Sequence, residues 1–471
     1  MIFSFRFFVV CSVLFGSFSV FGASKYDQYD QILKKVHLKK TLTSQETQNL
    51  RRLLYSKQFA ALASDFIQNK TDKIDFKDLI VAIPSSDVLY SFLDDSLGEM
   101  LARTDQGNPG DKGKYYAWYW GFWGRALLYA YEATHEMRYL DLFVTTFEKL
   151  LSERDDRLQL VDTERHRIVK SWGVRDSVRF RADIRTNEVT NCGLINLPVT
   201  EFLILVGKDS VLRKKYDSVY EKYLNAAAES VKEFEADYRL TDFGGGYYWS
   251  LFTHDIEPIN HTHVLAANFA NLYVLTQDPF YKKRVAEIGT YFKKFVVIDK
   301  DNNWTWPYNP LLPPLSLQYF RGLGVFSKFV SDWIQRFRRL PEGMWKAAVS
   351  IQFPIAAYNS GLFFDKTDME NMVDSFLKNG SDDHQLYQTL SSHHTVIKND
   401  KRSTVLVTGG LAPWLLYSQI NPRVNDVVVK IMSNNPEIFS NSWFGGSRSM
   451  VMGLALLMKN VSKGEHAPTE N

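Results

Sequence analysis

The sequence predicts an all-α protein, an (α/α)6 toroid of helical hairpins with a small β-containing insertion. Three observations carry this expectation. Amphipathic stretches of helical period recur in pairs, each pair joined by a tight polar turn. The turns fall 63 to 80 residues apart. The links between pairs are rich in Gly, Trp, Tyr and Asn.

The first hairpin, "GRALLYAYEATHEMRYLDLFVTTFEKLL", turns near His135. The second, "LPVTEFLILVGKDSVLRKKYDSVYEKYL", turns near Lys208. The third opens on Asn260-His261-Thr262-His263. Leu265, Phe269 and Leu272 then fall at i, i+4, i+7, with Val264, Ala267, Asn271 and Val274 beside them, the wide apolar arc of a buried helix. Asp278 is a good N-cap and Pro279 a good first helical residue, so Thr276-Gln277-Asp278-Pro279 is the turn. Tyr281, Val285, Ile288, Phe292 and Phe295 form the returning stripe. A fourth hairpin, "YFRGLGVFSKFVSDWIQRFRRLPEGMWKAAVSI", is expected to turn near Pro341, and a fifth, "GGLAPWLLYSQINPRVNDVVVKIM", near Asn421. A sixth comes from helices in 44–104, or from an N-terminal helix paired with the last one, Ser447 to Met458. Stacked solenoid units run ~33–47 residues. The surplus here lies in the aromatic links, which favours a ring with its links gathered at one mouth over an open array.

The expected domain plan follows. Residues 1–23 read as a signal peptide: Arg6, an apolar run from Phe7 to Phe15, then small residues to Ala23. The run is short for a span of ~20 residues. A secreted or periplasmic location is therefore expected, with an N-terminal membrane anchor as the alternative. Residues 24–104 are an arm and helices leading into the ring, 105–459 the toroid, and 460–471 a polar tail. Residues 382–410 break the helical rhythm and read as the insertion. Removal of the signal would leave Cys192 as the one cysteine, so no internal disulfide is expected.

Net charge is +3, from 56 basic and 53 acidic residues, which argues against a nucleic-acid partner. One local basic run stands out: Arg165, Arg167, Lys170, Arg175, Arg179, Arg181 and Arg185. Such a run is ordinarily a solvated face; lining a cleft, it would suit an anionic polymer. Aromatic residues reach 14%. They fill cores, and in a groove they stack on sugar rings.

Three connected segments carry a family resemblance. "NCGLINLP" (191–198) leads into a hydrophobic hairpin. Ile259-Asn260-His261 leads into a helix ending in Tyr273-x-Leu275-Thr276-x-Asp278. Trp304-x-Trp306-x-Tyr308 follows the return helix. In these the chain resembles six-hairpin carbohydrate-active proteins, among them D-glucuronyl C5-epimerase-like helical domains and toroidal polysaccharide lyases. The likeness covers about 115–310. It implies a toroid acting on an acidic, uronate-containing polysaccharide by lyase or C5-epimerase chemistry, with no cofactor. Relatives often carry an acidic-polar-His signature after the aromatic segment. Here no Asp, Glu or His lies between Tyr308 and Arg321.

Proton abstraction at C5 of a uronate needs a carboxylate neutraliser, a base and an acid. His261, Tyr308, Tyr119 and Arg185 are the catalytic candidates, with Arg185 as the carboxylate clamp through its bidentate donors. Trp118, Asn187, Glu188, Asn191, Tyr247, Trp249, Asn260, His263, Trp304 and Trp306 are the substrate-binding candidates, with Trp118, Trp249 and Trp304 as stacking platforms. The plainer readings are capping for Asn260 and the histidines, a surface salt bridge for Arg185, and core packing for the Trp residues. His-x-His is a metal-ligand spacing, but no nearby Cys or third His completes a set, so no metal is expected. His384, His393 and His394 lack a ligand pattern in the same way. Two further readings stand beside the lyase. One is an inverting glycoside hydrolase, with Glu188, Asp242, Asp255 and Glu257 near the right links. The other is a non-catalytic glycan-binding toroid.

Overall fold

A computed structural model describes residues 86–102, 111–175, 184–251, 255–298, 303–310, 341–381, 410–434 and 446–465. The signal peptide, the arm before residue 86, most of the 382–410 insertion and the tail from 466 lie outside the described residues.

Helices dominate. Apart from the short helices Asp155–Leu158 and Ser210–Lys215, in chain order they are α1 Ser86–Ala102, α2 Gly113–Thr134, α3 Arg138–Ser152, α4 Val189–Gly207, α5 Asp217–Lys232, α6 Ile259–Thr276, α7 Pro279–Phe295, α8 Met344–Ser350, α9 Gln352–Asn359, α10 Lys366–Asp374, α11 Arg423–Asn434 and α12 Gly446–Glu465. A 3-10 helix spans Ala412–Gln419. Short antiparallel strand pairs decorate the links: β1 Val161–Asp162 with β2 Arg167–Ile168, β3 Val174–Arg175 with β4 Arg185–Thr186, β5 Tyr238–Leu240, β6 Gly246–Ser250 and β7 Asp255–Ile256 as a three-stranded sheet, and β8 Val297–Ile298 with β9 Trp304–Thr305.

The turns are local chemistry. His135 and Gln277 close α2 and α6 in the left-handed conformation. Asp278 accepts from the Phe280 amide and Pro279 takes the first helical position, so the sequence expectation holds there. The second hairpin turns at Lys208 and Asp209, where the Asp209 carboxylate accepts from Val211 and Leu212.

The expected first limb of the fourth hairpin, residues 319–340, lies outside the described residues. Pro341, its expected turn, is described. It bridges Pro307 in extended conformation, and α8 and α9 follow it as the inner limb. The turn comes at Ser360–Asp365, with α10 as the return, opened by a capping box between Asp365 and Asp368. "NCGLINLP" also differs: it is the first half of α4 itself, with Pro198 inside the helix.

Six inner limbs close a ring. α2 packs on α4, α4 on α6, α6 on α8 and α9, these on the 3-10 helix, that on α12, and α12 back on α2. Helices α3, α5, α7, α10 and α11 lie outside, each against the inner limb it follows, and α1 packs on α2 and α3. Neighbouring inner limbs run parallel. Trp120 donates to the Ile195 carbonyl and Arg125 to Glu201; Asn268 donates to Gly193 and Asn271 to Thr200; His263 reaches Ser350 and Ser360 reaches Ala270. Among the described residues, the within-hairpin turns therefore sit at one end of the ring and the links at the other.

Close approach makes the ring possible. A Cβ on Gly193 would lie 2.7 Å from both the Leu265 amide nitrogen and Val264 Cγ1. α4 is the one described helix long and apolar enough to cross a membrane, and its apolar stretch is 83% buried within the protein. Its all-round apolar surface is that of an inner limb. Cys192 lies on it, fully buried and unpaired.

Candidate functional site at the link mouth

The links end at the first turns of the inner limbs, so the link end is where chemistry can gather. Its most continuous feature is an arc of rings and cations. On α2, Tyr119 packs against Tyr115 and Trp123, and the Arg448 guanidinium of α12 lies over its ring. Trp118, one residue back, faces Trp345 of α8 at 6.1 Å between ring centroids. The Lys346 ammonium sits 4.0 Å from the Trp345 ring centroid and donates to the Tyr308 hydroxyl at 3.3 Å. Tyr308 in turn holds α6 in place, its carbonyl accepting from the Ile259 amide. Trp118, Tyr119, Tyr308 and Trp345 are all only partly buried.

Beside this arc, His261 Nδ1 donates to Glu257 at 2.7 Å, and both side chains are about nine-tenths buried. The bond fixes the imidazole and leaves Nε2 as the nitrogen for a ligand. Glu188 occupies the N-cap position of α4 with no side-chain capping bond, and Glu257 stands just before α6. Two carboxylates thus come from the starts of adjacent limbs. Asn191 and Asn260 occupy the first turns of those same limbs, buried, with no hydrogen-bond partner on either amide.

Several expected site residues lie elsewhere. His263 is sealed between Phe292 and Phe353, its Nδ1 donating to the Ser350 carbonyl at 2.7 Å. Burial pushes its pKa down to about 3, so it is a neutral core histidine. Trp306 is 1% exposed and donates to Glu342, while Trp304 packs on Phe292, so both are wall and not platform. Burial raises the Glu342 carboxyl to about 8, with Trp306 and Ser350 as its donors. Tyr247 and Trp249 face α7, in a satellite cluster with Ile256, Tyr291 and Phe295. Their strand alternation turns them from the ring axis.

Arg185 is no clamp waiting for a ligand. It is buried and forks onto Asp155 (2.6 Å) and Asp111. Asn187 donates to Asp155 and Asp162, and Arg165 joins Asp162 to Asp237. Desolvation raises Asp155 and Asp237 despite these partners. The rest of the described basic run is answered too: Arg167 by Glu233, Lys170 by Glu229 and Arg175 by Asp111. This network ties the first link to its neighbours; among the described residues it presents no cationic cleft, and Arg179 and Arg181 lie outside them.

Trp345, Lys346 and the pairing of Glu257 with His261 escaped the sequence reading. The local signal for the first two was Gly343 followed by an amphipathic run beyond Pro341. Among the described residues no cluster of His, Cys, Asp and Glu could hold a metal ion.

These features define a closed helical toroid with an aromatic mouth. No protein-family model and no curated protein matches the chain. Among solved structures it is similar to an inactive variant of α-1,6-mannanase GH76A of Salegentibacter sp. HEL1_6 in complex with α-1,6-mannotriose, at 11% identity over 79% of this chain and 99% of that one, TM-score 0.46. A second inactive variant of that mannanase, in complex with α-1,6-mannotetrose, gives the same identity and coverage with a TM-score of 0.43.

Proposed function

We propose that the protein is an exported carbohydrate-active enzyme that binds an oligosaccharide or polysaccharide at the link mouth and cleaves it as an inverting glycoside hydrolase. The observation that carries the reading is the arc Tyr119, Trp118, Trp345 and Tyr308. Part-exposed aromatic rings arranged around a mouth suit the apolar faces of sugar rings. Glu188 and Glu257 supply the two carboxylates. Inverting glycosidases hold their two carboxylates ~6.5–9.5 Å apart, with room for an attacking water, and a pair drawn from the starts of adjacent limbs suits that arrangement. In this reading Glu257, bonded to His261, is the base side and Glu188 the acid side. Tyr119, Trp118, Asn191, Asn260 and Tyr308 contact sugar.

A lyase or C5-epimerase acting on uronates is the second reading. Lys346 on Tyr308 and Glu257 on His261 favour it, as two poised proton-transfer groups. Loss of Arg185 and the basic run to internal ion pairs weighs against it, because a uronate carboxylate then has fewer partners.

The test is product analysis on a panel of neutral and uronate polysaccharides. New reducing ends of inverted configuration, without ultraviolet-absorbing unsaturation, are expected. Unsaturated products, or solvent deuterium at C5, would replace hydrolysis with the second reading. Binding without turnover of any polymer would leave a glycan-binding toroid.

A further inference from the structure

The opposite end of the ring is not closed. At the C-terminal ends of the inner limbs lies a cavity of about 540 Å³, lined by all six of them. Its floor is a polar strut across the axis. Arg125, 3% exposed, donates to Glu201 at 2.8 Å and to the Gln352 side-chain oxygen. A buried ion pair is often no more stabilising than apolar side chains of the same volume. A strut of this kind, inside a ring otherwise packed with Leu, Ile and aromatic residues, therefore suggests use.

We infer that this bowl is a second ligand site, separate from the mouth, and that it takes a neutral, hydroxyl-rich molecule of the size of a short oligosaccharide. The charges are already spent on one another: Arg125 meets Glu201, and Lys459 meets Glu132 at 2.6 Å. Lys208 stands exposed at the rim, where the negative ends of the limb dipoles offset it. What remains is amide chemistry. Asn271, Asn359, Gln419, Asn425 and Asn460 line the bowl, Gln419 donating to Asn359 and Asn460 to Asn425, while the Gln352 amide is held by Arg125 and the Ala348 carbonyl. Each side-chain amide carries a donor and an acceptor, which matches a hydroxyl that must do both. Between them Leu205, Val274, Ile355 and Leu456 offer apolar patches for C–H faces. The Tyr129 ring is flanked by the Arg125 and Lys459 cations, so aromatic stacking plays no part at this end. The volume falls within the ~300–1,000 Å³ of small-molecule sites.

The experiment is calorimetric titration and saturation-transfer NMR of the whole chain with lactose, cellobiose and maltose, with digalacturonate and glucosamine as charged controls. At least one neutral disaccharide is expected to bind. Leu205→Trp, which intrudes on the bowl, and Gln419→Ala, an exposed change that leaves packing intact, should each weaken that binding roughly tenfold or more. Trp345→Ala at the mouth should leave it unchanged. The inference is overturned if no neutral disaccharide binds. Tighter binding of a charged control, or binding lost in Trp345→Ala but kept in both bowl variants, overturns it as well. Failure here leaves the mouth's reading untouched, since turnover there is read separately.

Discussion

Lys346 donates to the hydroxyl of Tyr308 across 38 residues of sequence, and its ammonium also lies against Trp345. One lysine thus joins the link after the third hairpin to the first turn of α8. Lys346→Met keeps the stem and removes the charge. It should weaken oligosaccharide binding at the mouth several-fold, with thermal stability little changed, because exposed cation–π contacts contribute only ~0.5–1 kcal/mol. Trp345→Ala should cost more, roughly tenfold in affinity, since stacking on a sugar face is lost outright. Titration of the substrate polymer checks both.

Glu257→Gln and Glu188→Gln should each lower turnover by about 10²–10⁴-fold, the usual contribution of a general acid or base. Polymer affinity should stay near that of the wild type. Parallel measurement of turnover and binding separates lost chemistry from lost folding.

Gly193→Ala should destabilise the protein by about 1–3 kcal/mol. The added methyl meets the backbone of α6, not a flexible side-chain end, so neighbouring limbs must part. Urea denaturation measures the effect. Gly244, with open space around its α-carbon, needs its positive φ but no close contact, so the same change there acts through the backbone alone.

Two buried groups give opposite pH slopes. The folded pKa of His263, about 3, lies below its unfolded value, so its contribution is present above about 6.5 and is lost as pH falls. That of Glu342, about 8, lies above its unfolded value near 4.5, so its contribution is present in acid and is lost as pH rises through 8. Between pH 6.5 and 8 only the second of these slopes operates. Stability there should fall by on the order of 2 kcal/mol, and Glu342→Gln should flatten the decline. Denaturation midpoints at pH 6.5, 7.2 and 8 decide it.

Local chemistry was readable, and partner choice was not. The Asp278-Pro279 turn follows from capping alone, and the stripes of α6 and α7 follow from periodicity. Trp306 and Arg185 are different. Their residue types fit a sugar groove and a carboxylate clamp equally well, and only the fold reveals that Glu342, Asp111 and Asp155 already hold them. Pro341 is the conspicuous breaker, yet the helices after it, α8 and α9, form an inner limb with a return of their own. The capping box of Asp365 and Asp368 is the quieter and truer sign of that hairpin's turn. Read as part of a return helix, Trp345 and Lys346 would lie away from the mouth; as the first turn of an inner limb they face it.

Arg448 reaches the Trp118 carbonyl across 330 residues. During synthesis, α2 must wait for α12, and until then its ring-closing flank lacks that partner. Contacts so distant in sequence form late and slowly. The biosynthetic burden of this architecture therefore falls on its last inner limb, and a chain stalled before that helix would be a natural client for a chaperone.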